Sequence, residues 1–445
     1  MPRTAGCPCA SGLRYKHCCG SAGALAARGA TRHERMRQAG LMAQRRGDFA
    51  LAIATYDAIL REHAHDWDVA HMRATSCYQL GAMGDAATAF AALLTTPAAD
   101  SPGFWTNLGL LLAAIAADPR AVPPGNTPDA RRSSPLDGPA GAPAPGLLPS
   151  VSVVMPAYMH APYVGEAIAS VFAQTRAPME FIVIDDGSGD GTADCCRAAL
   201  RDAPFPVRFV ARENRGAAAT LNQGIGMAGG EFIQLLNSDD RLVPHRIAAM
   251  QDALLERGAD WGYSRVALFD QRGAPLVRRA DRRAAALVAA ADAALMSPTI
   301  GLSLIRANSA ISSGNLMFRK RLWRDMGGFG DFRYNHDWDF CLRATLHCEP
   351  VLVPQALYEY RLHDRNTIAE SENAARGEQR RVMAGLVALA QGRLRWPNPV
   401  APTLANWGGE LLALLGAVDA LRHVPRATIA RALSTWSEGK SCAPR

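Results

Sequence analysis

"QLLNSDDRLV", residues 234–243, reads as a buried strand running straight into two carboxylates. Gln234, Leu235 and Leu236 suit a sheet interior, whereas Asn237, Ser238, Asp239 and Asp240 do not. Taken alone, the stretch is a strand end followed by a turn and a helix cap, since Asn and Asp serve both purposes. A similar strand lies upstream: "EFIVIDDGSGDGT" (180–192) ends on Asp185 and Asp186 and enters a Gly-rich turn. Strand and helix patterns alternate around the two. "VSVVMPAY" (151–158) is a β-branched run ending at a proline, and "APYVGEAIASVFAQT" has helical apolar spacing. "VRFVARENRGAAATLNQGIGMAGGEFIQLLNSDD" then supplies strand, helix and strand. This alternation predicts an α/β fold, a mainly parallel sheet sandwiched by helices, with ligands beyond the carboxyl ends of the strands. Both acidic clusters fall at such ends. They would repel each other unless a cation or a donor-rich ligand were present.

A chain of 445 residues is expected to form two or three domains. Hydrophobic residues at 49% and charged residues at 20% describe an ordinary globular protein, and the net charge of +7 is mildly basic. The basic run "VRRADRR" (277–283) has no interleaved aromatics, so it reads as a solvated helix face and nucleic acid is not an expected partner. The most apolar stretches, such as 108–117 and 411–418, are too short to span a bilayer, and the N-terminus has no apolar signal core. Four of the ten cysteines crowd the first twenty residues and Cys195 adjoins Cys196, which is not a disulfide framework. A cytoplasmic chain is expected.

Residues 7–20, "CPCASGLRYKHCCG", place Cys7 and Cys9 at one end of a short loop and Cys18 and Cys19 at the other. Four soft ligands so arranged can close a tetrahedron around Zn²⁺, which substitutes for a core that twenty residues cannot build. His17 is a spare nitrogen donor. The stretch resembles the SEC-C motif, and the resemblance implies a partner-binding attachment module over residues 1–22. Within residues 30–117, Gly47, Ala52 and Tyr56 recur 34 residues later as Gly81, Ala86 and Phe90, and a third copy starts at Trp105 with Leu108, Gly109 and Leu112. Small residues at helix crossings, an aromatic knob and this period resemble tetratricopeptide repeats, which would present a groove to a protein partner. A generic Ala-rich helical hairpin is the alternative. Residues 118–149 are rich in Pro, Ala and Gly and form a linker. The chemistry-bearing domain is expected over 150–368. Residues 369–445 read as a further helical region with a proline break at 397–402.

"VSVVMPAY", "VIDDGSGDGT", "ENRGAAATLNQGI" and "GEFIQLLNSDD", in this order and spacing, resemble family 2 glycosyltransferases of the GT-A fold. A Rossmann dehydrogenase would need a Gly-x-Gly-x-x-Gly that is missing here. The resemblance implies a nucleotide-sugar donor and a site built as follows. Asp186 would accept the imide N–H of uracil or thymine, with Asp185 holding the loop. Pro156, Asn214, Arg215, Gly216, Asn237 and Ser238 would line the nucleotide pocket. Asp239 would bind Mg²⁺ or Mn²⁺ bridging the two phosphates, and Asp240 would shape the turn or cap the helix starting near Pro244. Asn237 departs from the family, where Asp is common.

"ISSGNLMFRKRLWRDMGGFGDFRYNHDWDFCLRA" (311–344) resembles the family's acceptor side, and Gly314, Asn315, Trp338 and Asp339 would support it. Asp337 would be the catalytic base that takes the proton of the acceptor hydroxyl, and Asp339 the fallback. His336 stands where relatives usually have Glu. "YEYRLHDRNTIA" (358–369) supplies His363 as the second metal ligand, with Arg361 near the phosphates. The sequence thus points to an inverting, metal-dependent glycosyltransferase using a UDP- or dTDP-sugar, with a protein or a glycan, lipid-linked or on the cell surface, as acceptor. The competing reading is a non-catalytic, sugar-nucleotide-sensing adaptor, kept open by Asn237 and His336.

Overall fold

The computed structural model describes residues 31–117, 148–276, 282–364, 366, 372–392 and 395–437. Cys7, Cys9, Cys18 and Cys19 lie outside them, as do residues 118–147 of the expected linker. The described residues form two units, one of residues 31–117 with 424–437 and one of residues 148–423. Among them, no helix is long and apolar enough to cross a membrane, and Cys77, Cys195, Cys196, Cys341 and Cys348 are free thiols.

The first unit is all-helical: α1 (Arg32–Arg45), α2 (Phe49–Glu62), α3 (Trp67–Leu80), α4 (Met83–Leu93) and α5 (Pro102–Ala117). Thr31 and Glu34 open α1 as a reciprocal capping box, and Asp48 and Asp66 cap α2 and α3 through the Leu51 and Val69 amides. Ala52 and Tyr56 on α2, and Ala86 and Phe90 on α4, are fully buried. The repeated glycines act differently from the small crossing residues expected. Gly47 and Gly81 have φ of +80° and +83° and close the turns after α1 and α3, a conformation that side chains disfavour. The close approach of helices falls to Gly40, where a Cβ would overlap the Tyr56 ring.

The second unit is α/β. Its strands are β1 (Val151–Ala157), β2 (Glu180–Asp185), β3 (Val207–Ala211), β4 (Phe232–Leu235), β5 (Arg241–Leu242), β6 (Trp261–Asp270), β7 (Leu316–Arg319) and β8 (Val351–Leu362). They form one sheet in the order β3-β2-β1-β4-β7-β6-β8-β5. The half that contains both acidic strand ends, β3-β2-β1-β4, is parallel throughout. β7 runs antiparallel to β4 and β6, β5 antiparallel to β8, and β6 parallel to β8. The helices are α6 (Val164–Phe172), α7 (Thr192–Ala199), α8 (Ala217–Met227), α9 (Arg246–Glu256), α10 (Arg282–Leu295), α11 (Lys320–Asp325), α12 (His336–His347), α13 (Glu372–Gly392) and α14 (Leu404–Ala417).

Val151, Val153 and Met155 of β1, at period two, share a core with Val164, Ile168 and Val171 of α6. The other face carries Val154 and Ile184, over which Gly224 brings α8 close. Burial on both faces explains why β1 and β2 read as continuous apolar runs.

Helix α15 (Arg426–Ser437) belongs to the first unit, with Ile429 and Leu433 buried and Arg426 donating to the Leu94 carbonyl at 3.1 Å. The described residues of the expected C-terminal helical region (369–445) therefore divide between the two units.

Candidate active site

β2, β1 and β4 lie side by side and parallel, so the loops that follow them open at one sheet edge. Three successive amides after β1 are tied to side chains after β2. Met159 donates to Ser188 Oγ at 2.9 Å, His160 to Thr192 Oγ1 at 2.9 Å and Ala161 to Asp190 Oδ2 at 3.2 Å. After β4 comes the acidic turn, then β5, which pairs Arg241 with Glu359 and Leu242 with Tyr358. Continued outward, that antiparallel register sets Arg361 opposite Asp239 and brings His363 beside it. His363 Nε2 lies 3.0 Å from Asp239 Oδ2. His160 Nε2 lies 3.7 Å from the same oxygen, and the three ligand atoms sit within 4.8 Å of one another.

The sequence reading missed His160. Its signal was positional: it follows a parallel strand adjacent to β4, hence at the same edge.

Burial alone would raise the Asp239 carboxyl, but the imidazoles of His160 and His363 overcome it and hold Asp239 below the usual aspartate range. Burial, together with the charge of Asp239, pushes Asp240 well above that range. The two adjacent carboxyls are thus shifted in opposite directions. Asp240 shapes the turn and does not cap a helix. It accepts from the Tyr358 hydroxyl at 2.6 Å and the Arg361 amide at 2.8 Å, while α9 begins at His245 with no side-chain cap.

Arg361, expected near phosphates, has its protein contacts around the acidic turn. It is buried beneath the turn, donating to the Asp239 carbonyl at 2.7 Å and to Glu166 at 2.8 Å, between the rings of Tyr163 and Phe269. Ser238 is buried and its hydroxyl meets His160 Nδ1 at 2.8 Å. Asn237 is bound at both ends of its amide: Nδ2 donates to Ser312 Oγ at 2.8 Å and Oδ1 accepts from Ser313 Oγ at 3.1 Å. Gly314 follows directly, and a Cβ there would fall on the Tyr358 hydroxyl and the Asn237 nitrogen. Asn315 is fully buried and accepts from Arg246 at 3.0 Å, in a core network with Gln234 and Ser264. Burial with these neutral partners pushes the Arg246 guanidinium down to about 9. Asn315 thus supports the site from the core.

The expected nucleotide residues also gather. Asp186 accepts from the Arg215 and Gly216 amides, each at 2.9 Å, and from the Arg212 guanidinium. Asn214 Nδ2 donates to the Asp186 carbonyl at 2.9 Å. Asp185 receives the Ser188 amide at 3.2 Å on one oxygen, and its other oxygen is buried without a hydrogen-bond partner. Pro156 lies within β1, in register with Ile184.

Asp337 lies in the first turn of α12, buried, accepting from the Trp338 amide at 2.7 Å and from Asn308 Nδ2 at 2.9 Å. Burial lifts its carboxyl above the usual aspartate range, against the pull of His336, the Trp338 amide and Asn308. Asp339 is engaged by Arg343 at 2.6 Å and Trp338 Nε1 by the Leu304 carbonyl at 2.6 Å, which makes both of them supports. Burial first, then the charges of Asp240, Asp239 and Asp337 together, push the Tyr360 phenol well above its usual range. One side chain therefore senses all three carboxyls.

Glu378 on α13 completes this side. Its carboxylate accepts three successive amides, Arg333 at 2.8 Å, Tyr334 at 2.7 Å and Asn335 at 3.1 Å, immediately before α12. Arg212, Asn308 and Glu378 carry no motif, and only the fold reveals them.

A parallel half-sheet with a buried carboxylate–imidazole cluster and an amide-bound acidic loop at its carboxyl edge is the layout of an α/β protein that takes ligands beyond its strand ends. Residues 152–294 match the model of glycosyl transferase family 2, and residues 3–21 match that of the SEC-C motif. The chain carries a family 2 glycosyltransferase domain behind a SEC-C motif. It is 35% identical over 111 residues to glycosyltransferase GlyG of Streptococcus pneumoniae, covering 25% of this chain and 36% of that one. It is 31% identical over 129 residues to the putative teichuronic acid biosynthesis glycosyltransferase TuaG of Bacillus subtilis, covering 29% and 51%. A crystal structure of S. aureus TarS with UDP-GlcNAc aligns over 66% of this chain and 90% of that one, at 17% identity and a TM-score of 0.46. The chain spans about a third to a half of the length of such curated relatives.

Proposed function

We propose that this chain is an inverting, metal-dependent glycosyltransferase that moves a sugar from a nucleotide-diphosphate sugar of the UDP or dTDP type to an acceptor hydroxyl. One observation carries the reading: the buried Asp239 carboxylate, 3.0 Å from His363 Nε2, and the amide-bound Asp186 stand at the same carboxyl edge of the parallel strands.

A carboxylate has roughly four lone-pair directions, and Asp186 uses three on Arg212, Arg215 and Gly216, which leaves one for the imide N–H of a pyrimidine base. Asn214, Arg215 and Gly216 would form the pocket wall around it. Asp239 and His363, an oxygen and a nitrogen donor in contact, fit a divalent cation of the Mg²⁺ or Mn²⁺ kind. Bound there, it would neutralise charge developing on the departing diphosphate. Asp337 takes the proton of the acceptor hydroxyl as its oxygen bonds the anomeric carbon and the carbon–phosphate-oxygen bond breaks on the opposite face. Its raised pKa makes it a stronger base than an ordinary aspartate. Asn237, bonded at both ends, supports the turn and does not count against catalysis.

The reading includes Zn²⁺ on Cys7, Cys9, Cys18 and Cys19, tetratricopeptide-like repeats in the helical unit that select a protein acceptor, and a cytoplasmic setting. The test is a panel of UDP-, dTDP- and GDP-sugars with Mn²⁺, read by mass spectrometry for sugar release and transfer. Turnover that survives both Asp239→Ala and Asp337→Ala refutes the mechanism. Nucleotide binding with no release from any donor would favour the adaptor reading.

A further inference from the structure

His160 has no part in the mechanism just given, yet it faces the same carboxylate oxygen as His363. Its separation from Asp239 Oδ2, 3.7 Å, lies beyond hydrogen-bonding range, so a shared proton does not explain it. It does suit two ligands of one cation. Bonds of about 2.0–2.2 Å place neighbouring ligand atoms roughly 3–3.5 Å apart around a tetrahedral or octahedral ion. The rings of His160 and His363 stand perpendicular, their centroids 5.7 Å apart, with neither stacked over the other's ligand nitrogen.

We propose that His160 is a third protein ligand of the site's divalent cation, completing a two-histidine, one-carboxylate cluster with Asp239 and His363.

The surroundings of His160 are those of an oriented ligand. Its Nδ1 meets Ser238 Oγ at 2.8 Å, and with the ring proton on Nδ1 the Nε2 lone pair would be available to a cation. The backbone beneath it is fixed by Ser188, Thr192 and Asp190, and the preceding Met159 is held at φ +56°, a conformation a non-glycine residue adopts only when its surroundings enforce it. Ser188 and Asp190 stand in the loop after β2 that begins with Asp186, and Thr192 opens α7 at its end, so the cluster would also tie the cation to the proposed nucleotide loop. Two imidazoles and one carboxylate favour Mn²⁺ and its transition-metal neighbours over Mg²⁺, which prefers oxygen.

This inference rests on the cation assigned under the proposed function, and its test reads binding without turnover. Mn²⁺ is titrated into the full chain and followed by electron paramagnetic resonance, with pulsed measurements of nitrogen couplings. The expected result is two coordinated imidazole nitrogens in the parent protein and one in His160→Gln, with Mn²⁺ affinity falling roughly tenfold or more. Ser238→Ala should keep both nitrogens and weaken Mn²⁺ to a smaller degree, which separates ligand loss from misfolding. Unchanged affinity and couplings in His160→Gln overturn this proposal and leave the proposed transferase standing. Failure of the parent protein to bind Mn²⁺ overturns the cation assignment along with it.

Discussion

Removing the Glu378 carboxylate should loosen the start of the helix that bears Asp337. The carboxylate is buried and takes three backbone amides of residues 333–335. At about 1 kcal/mol net for each hydrogen bond, Glu378→Ala should cost roughly 3 kcal/mol. In a unit of this size that corresponds to a fall of roughly 6–12 °C in melting temperature. Glu378→Gln keeps one acceptor oxygen and should lie between. The pH dependence has a definite sign. Burial would raise the Glu378 carboxyl, but the three amides overcome it and hold it below the usual range. Its contribution is therefore complete above the unfolded glutamate pKa of about 4.3 and is lost as the pH falls through the lower folded value. Calorimetry at pH 7 and at pH values below 4 should show a large gap between parent and Glu378→Ala that closes in acid. A melting temperature unchanged at pH 7, or a gap that does not depend on pH, refutes the reasoning.

Asp337→Asn should lower kcat by roughly 10²–10⁴ while donor affinity, measured by calorimetry, stays unchanged. Because the base must be ionised and its pKa is raised by burial, the acid limb of kcat/KM should lie above the ordinary aspartate range, with activity lost as the pH falls through it. Gly314→Ala has no room beside the Tyr358 hydroxyl and the Asn237 amide, so it should destabilise the unit by about 1–3 kcal/mol in urea unfolding and weaken metal binding through the displaced turn.

The parallel half of the sheet was legible because β1, β2 and β4 are short apolar runs ending in Pro, Asp or Asn. The antiparallel β5 was not, since two residues carry no readable period, and β7 was legible only as the apolar strand that the family resemblance implies after Gly314 and Asn315. Asp239 and His363 could be paired through a family resemblance. Their actual partner is set by the β5–β8 register, which no local pattern encodes. The same limit explains Arg361. Two residues before His363, an arginine suggests phosphate on a local reading, whereas its hydrogen bonds to the Asp239 carbonyl and Glu166 are made across 122 and 195 residues of sequence. Asn308 and Glu378 act on Asp337 from segments 29 and more than 40 residues away, a separation at which single residue types are uninformative.

Helix α15 gives the helical unit a non-contiguous chain. Arg426 and Leu94, hydrogen-bonded to each other, are 332 residues apart in sequence, and the whole transferase unit is spliced between them. The polypeptide thus enters that unit and leaves it again, a topology of insertion in place of a string of beads. During synthesis the helical unit waits, with the seat of Ile429 and Leu433 uncovered, until the inserted unit has been made. For dissection, a fragment cut after α5 would expose apolar surface that the intact chain covers. A fragment that rejoins residues 424–437 by a short artificial loop would restore it.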